Sequence, residues 1–518
     1  MMCEELMRQR RDFLKLAVGA ALSGGGAALA NAAGAATAAA ADAPAPAPFA
    51  PEGVLNLARQ LAKSPFKPPK NTLPAPFADM TYDQYVAIRS NPGSAVWNND
   101  NVGFALEPLH RGFIFSTPMD ISIVENGLTQ RLPYNSAAFD FGKLQPPADL
   151  PDIGFSGFRV LNAVDGQGFQ ELAIYQGASF FRAKARGQTF GLTARGLSIH
   201  TADPQGEEFP LFRSVWIEKP TLAANALIIH ALLDSASVTG AFRFTLRPGD
   251  ATIIDTELTI VARAAVDHVG FGVMTGIYLF GDLAPPKMYD VRPNVYEING
   301  LQMLTGKGEW IWRPVANRET LQISAFVDEN PRGFGLLQRG RSYYTFQDDD
   351  QHWEARPSLW IEPIGDWGEG QVQLLEIPTE SENNDNIIAY WRPKAGLAEG
   401  ATQSFAYRQF WCWTPPARPT LAVVTGVRLG KSGKRWRFVV EFSSEAFADP
   451  AKSAAIKVNM TASPGQIAWS RTFASAERKT FRIAFDLDPG SETSSELRLV
   501  LESAGQPASE TWLYRWTA

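Results

Sequence analysis

The chain has 518 residues, 45% hydrophobic and 20% charged, which makes it globular rather than disordered and long enough for two or three domains. A net charge of −6 argues against a nucleic-acid binder, because that class needs a basic face. Its two cysteines, Cys3 and Cys412, and five scattered histidines make no zinc pattern, so no metal and no cofactor is expected.

The N-terminus reads as an address. "QRRDFLK" precedes a short, weakly apolar, Gly/Ala-rich run that ends in Ala28-Leu29-Ala30, a small-residue cleavage signal. Arg10–Arg11 followed by Phe13, Leu14 and Lys15 resembles the twin-arginine motif. Residues 1–30 are therefore expected to be a signal peptide for twin-arginine export, giving a periplasmic mature protein. The apolar run is too short for a stable membrane anchor. Residues 31–50, Ala/Pro-rich, read as a tether, with folding expected to start near Pro51.

"PEGVLNLARQLAKSP" has helical periodicity with Pro51 at its start, and "TYDQYVAIRS" predicts a second short helix capped by Thr81. Strand patterns follow, β-branched and aromatic, divided by Gly, Pro, Asn and Asp turns. They do not alternate with helices, which argues against a parallel α/β fold. The expected fold is all-β: a large antiparallel β-sandwich over residues 51–395, then a smaller module over residues 396–518. From Leu421 onward about seven short strands over about 100 residues suggest an immunoglobulin-like β-sandwich.

No G-x-S-x-G, P-loop, H-E-x-x-H or G-x-G-x-x-G motif occurs. Acids and aromatics in loops remain: Glu297 in "VYEINGL", Asp348 and Trp353 in "DDDQHWEARPSLW", and Asp385 in "SENNDNIIAYW". Paired carboxylates beside aromatic platforms suit glycoside hydrolysis, although acids in polar β loops are mostly solvated turn residues. Fourteen Trp raise a sugar ligand as a candidate, since sugar rings stack on indoles.

The stretches "LARQLA", "YDQYVAIR", "GASFFRAKARGQTFGLTARGLSI", "RPNVYEINGLQM", "RPSLWIEPIGDWGEGQVQLLEIPT" and "DNIIAYW" resemble the periplasmic glucan biosynthesis protein D/G family. The resemblance covers most of residues 52–413, and the twin-arginine signal is typical of the D branch. It implies a β-supersandwich N-domain with a glucan cleft and an immunoglobulin-like C-domain. It also implies a role in osmoregulated periplasmic glucan synthesis, acting on a β-1,2-glucan backbone as an inverting endo-β-1,2-glucanase or a transglycosylase. By the same resemblance Asp385 stands at the general-acid position and Glu297 at the general-base position. Relatives usually read close to "VHDSDGL" in place of "VYEINGL", and Tyr in place of Trp353. These departures keep open a non-catalytic protein that binds and shapes the nascent glucan. Expected substrate-binding residues are Trp353, Arg195, Trp310, Trp360, Trp367 and Asp348. Expected partners are the β-1,2-glucan and, as a candidate, the synthesis machinery of the inner membrane.

Overall fold

The computed structural model describes residues 45–518 except 165, 222, 287 and 288. The expected signal peptide and most of the expected tether lie outside the described residues. The chain forms two compact units: the described residues up to Gly272 with Ala395–Arg408, and Val273–Lys394 with Gln409–Ala518. Among the described residues no helix is long and apolar enough to cross a membrane.

In the first unit, Leu211–Glu218, Leu227–Asp234, Val238–Arg247 and Ala251–Ala262 form an antiparallel ribbon. Burial alternates along Val238–Arg247, as a strand with one covered face requires. A second sheet, Phe104–Leu109, Gly157–Val164, Gly168–Gln176, Phe180–Ala183 and Thr193–Arg195, faces it. Aromatic rings fill the space between: Tyr175 stacks on Phe158 and Phe181 and reaches Phe244 of the ribbon at 5.6 Å. The predicted first helix runs Pro51–Ala62 and packs Val54 and Ala58 on Leu232. Ordered structure begins before it, because Ala47–Pro48 pairs with Leu128–Thr129. Thr81 caps the helix Tyr82–Ala87 in a reciprocal box with Gln84.

In the second unit, Gly300–Leu304, Trp310–Pro314, Gly333–Leu337 and Ser358–Ile364 pair antiparallel. Gln322–Glu329, Glu369–Glu376 and Ile387–Pro393 make another antiparallel set. Seven of the last eight strands form a two-sheet sandwich: Val423–Ser432, Arg435–Ser443, Thr480–Asp488 and Gln466–Ser475 on one side, Lys457–Ser463, Ser494–Ser503 and Thr511–Thr517 on the other. Phe438, Phe485, Trp512 and Tyr514 fill its core. Trp310–Pro314 pairs in parallel with Thr511–Thr517, so one sheet continues from the earlier strands into the sandwich.

That junction is bolted by a buried carboxylate. Glu510, fully inaccessible, accepts from Arg339 (2.7 and 3.0 Å), Gln302 (3.1 Å) and the Val424 N–H (2.7 Å). Its removal leaves the mostly buried Arg339 guanidinium without its counter-charge, a loss of about 3–5 kcal/mol. Glu510→Leu is therefore expected to lower the unfolding midpoint in urea with its slope unchanged; a midpoint equal to wild type would mean that the junction carries no such load.

Candidate active site

Asp385 answers to a short stretch of backbone, Thr275–Tyr278. The hairpin Glu369–Glu376 and Ile387–Pro393 is joined by a polar loop, and Asn386 ends that loop inside the protein. The Asn386 side chain accepts from the Tyr278 N–H (2.8 Å) and donates to the carbonyls of Tyr278 (3.0 Å) and Ile377 (3.1 Å). Its backbone N–H donates to Gly276 O (3.0 Å) and its carbonyl accepts from Ile377 (2.8 Å). A side-chain amide that satisfies three buried backbone groups fixes a loop firmly. Asp385, one residue earlier, is 3% exposed, and the Thr275 hydroxyl donates to it at 2.6 Å. The reading of a solvated turn acid does not hold for it.

The other end of the loop is held as well. Glu376, completely buried, accepts from Arg313 (2.9 Å), Arg318 (3.1 Å) and the Ala316 N–H (2.8 Å). Burial pushes its carboxyl up, but the two guanidiniums outweigh this and hold it below its ordinary value.

Glu297 hangs from the same scaffold. Val295–Tyr296 pairs with Tyr278–Phe280, and the Glu297 N–H donates to Ile277 O at 2.9 Å. Its side chain is 2% exposed and forms a short ion pair with Arg356. Arg356 also donates to Gln351 (2.7 Å) and lies over the Trp353 ring at 4.0 Å. The Trp353 indole donates to Asp348 (2.9 Å), which also accepts from the Gln351 and Asp350 N–H groups. Arg292 then joins three carboxylates: Asp348 (3.0 Å), Asp290 (2.8 Å) and Glu382 (2.7 Å). A chain of polar contacts thus runs from Glu297 back to Glu382, in the loop that carries Asp385. Glu382 shares the Arg292 guanidinium with Asp290 and Asp348.

The aromatic candidates are packed rather than displayed. Trp353 and Trp360 are fully buried and Trp367 is 5% exposed. Trp353 is turned inward by a short 3-10 turn that His352 opens in the left-handed region (φ 47°). Trp360 lies against Gly333, where any Cβ would collide with the indole, and half-buried Trp310 stacks on it at 6.0 Å. Trp367 packs edge-on to Phe334 and against Trp391. Trp353, Trp360 and Trp367, expected at the substrate, are thus packed in the interior in this structure. Asp348 lies inside the network, bonded to Arg292, Trp353 and two backbone N–H groups. Arg195, in the first unit, is also sealed: it pairs with Glu207 (2.6 Å) and lies over Phe180 and Phe209.

Sequence reasoning missed Arg356, Arg292, Asn386 and Thr275. The two arginines had a signal: each precedes a proline within a few residues of a candidate acid, and buried acids require a counter-charge. Among the described residues, no three His, Cys, Asp or Glu side chains group to hold a metal.

The family model "Periplasmic glucan biosynthesis protein, MdoG" matches residues 49–516. Similar proteins include "Glucans biosynthesis protein G" of Shewanella sp. (strain ANA-3), 43% identical over 90% of this chain and 87% of its own length. The protein of that name from Rhodopseudomonas palustris (strain BisA53) is 42% identical over 90% of this chain and 93% of its own. That from Vibrio cholerae (strain M66-2) is 42% identical over 90% and 87%.

Burial pushes the Asp348 carboxyl up, but the Gln351 N–H, Arg292 and the Trp353 indole outweigh it and hold it below the usual range. Asp290 is held low chiefly by its hydrogen bonds from Arg292. Groups that ionise more readily folded than unfolded stabilise the fold above the ordinary carboxylate range, near about pH 4, and lose this as pH falls through their lowered values. Asp348→Asn is expected to lower Tm clearly at pH 7 and much less at pH 3. An equal deficit at both pH values would show that its charge does not matter.

Proposed function

From the periplasmic glucan biosynthesis family, to which this chain belongs, we propose that it acts on a β-1,2-linked glucan backbone in the periplasm, as an inverting endo-β-1,2-glucanase or transglycosylase with Asp385 as general acid and Glu297 as general base. The observation that carries this reading is the pair of inaccessible carboxylates held by one stretch, Thr275–Tyr278. Carboxylates are rarely buried without a task or a counter-charge, and functional sites are where they collect.

Asp385 would give its proton to the leaving glycosidic oxygen as the bond from that oxygen to the anomeric carbon breaks. Burial suits this role because it disfavours the charged form. On the opposite face Glu297 would take a proton from the attacking oxygen, of water in hydrolysis or of a sugar hydroxyl in transfer. Inversion needs its two carboxyl groups roughly 6.5–9.5 Å apart, so that the attacking oxygen fits between base and sugar. Arg356 would set the orientation of Glu297 and weaken it as a base, so turnover requires substrate to loosen that ion pair.

One observation favours the second reading, a glucan-binding protein without turnover. Glu297 is tied to Arg356, and the Trp353 N–H is spent on Asp348. An indole cannot both donate and accept, so it relays no proton to Glu297.

Incubation of the mature protein with linear β-1,2-glucan separates the two. Shorter or cyclised products are expected from wild type. Asp385→Asn is expected to lose turnover by about 10²–10⁴-fold with glucan binding retained, and Glu297→Gln nearly as much. Wild-type turnover in both variants would overturn the assignment, and bound but unchanged glucan with wild type would favour the second reading.

A further inference from the structure

Within the second unit a pocket of about 190 Å³ is lined by neither Asp385 nor Glu297. One wall is the Tyr278–Tyr296 pair, whose rings stack 5.2 Å apart and 5° from parallel. Another is Trp312, covered at 3.5 Å by the Arg339 guanidinium. The segment Val424–Val427 of the C-terminal sandwich closes the pocket. Two strand pairs lose register at its rim, between Tyr278 and Phe280 and between Val424 and Gly426. Such irregularities re-aim side chains and collect beside binding sites.

The lining selects a chemistry. Among the described residues that line it the cation is Arg339, and both Glu510 oxygens already engage that guanidinium. Its carboxylate, Asp282, repels anions. The remaining polar groups include the Asn299 amide and the Thr345 hydroxyl, which donate and accept. Apolar side chains beside neutral polar groups and one accepting carboxylate suit a neutral polyhydroxyl ring, its hydroxyls on Asp282, Thr345 and the Asn299 amide N–H, since the Asn299 oxygen already accepts from the Arg339 N–H. The volume gives room for one hexose ring.

We propose that this pocket is a second carbohydrate site, which takes a single terminal hexose unit of a glucan apart from the Asp385 and Glu297 side chains. The choice of a glucan as the source of that unit rests on the proposed function. Tyr296 and Asn299 flank Glu297 in the chain, so an occupant would bear on the segment that holds the general-base candidate.

The test is hydrogen–deuterium exchange of the full mature chain with and without sophorose, the β-1,2-linked glucose disaccharide. Slowed exchange is expected in peptides covering residues 339–345 and 424–427, in wild type and in Asp385→Asn alike. Asp282→Ala, at an exposed residue, is expected to weaken sophorose binding at these peptides about tenfold, the loss of one charged hydrogen bond. Protection confined to residues 376–386 and 292–299 would overturn the second site while leaving the glucan reading intact. Sophorose binding at these peptides that Asp282→Ala leaves unchanged would overturn the lining chemistry argued here. Absence of protection everywhere would overturn both.

Discussion

The backbone of Thr275–Tyr278 is the constraint on which the site depends. Thr275 holds Asp385 by its hydroxyl, Gly276 and Tyr278 hold Asn386, and Ile277 holds Glu297. Two carboxylates distant in sequence are thus referred to one short stretch. Backbone groups cannot drift like long side chains, so Asn386, next to Asp385, and the main chain of Glu297 are held firmly, and the Thr275 hydroxyl adds a side-chain bond to Asp385 itself. Asn386 is the central contact: without its amide three buried backbone groups lose partners, at about 1–3 kcal/mol each.

Around this stretch the second unit is held by charges buried in pairs and triads rather than by aliphatic packing alone. Glu376 sits between two arginines, Glu510 on Arg339, and Glu297 on Arg356. Such groups cost more to desolvate than they return unless every partner is present, so they specify one arrangement. The Arg292 cluster extends the same logic outward, where it ties Asp290, Asp348 and Glu382 together. The consequence is a firmly held Glu297 side chain. Under the proposed function, the balance among hydrolysis, transfer and mere binding turns on how the Arg356 ion pair responds to substrate.

Much of this was legible in the sequence, for local reasons. The Pro51 helix, the Thr81 cap and the C-terminal strands follow from periodicity and capping chemistry, which act within a few residues. The relatives carry the G name, whereas the leader that pointed to the D branch lies outside the described residues. Trp353, expected at the substrate, is buried in this structure. Its burial follows from a left-handed His352 and from contacts with Asp348 and Arg356 that no pattern announces. Asn386 and Thr275 were invisible for a similar reason, since their partners lie more than a hundred residues away. A polar residue that satisfies distant backbone looks, in sequence, like any other turn residue.

The claim that Asp385 and Glu297 act as one unit is tested most directly by a double-mutant cycle on glucan turnover with Asp385→Asn, Glu297→Gln and the pair combined. Residues that serve one step together are not additive. The account predicts that the double variant is little worse than the more damaged single variant. Losses that multiply would show two carboxylates working independently and would contradict it.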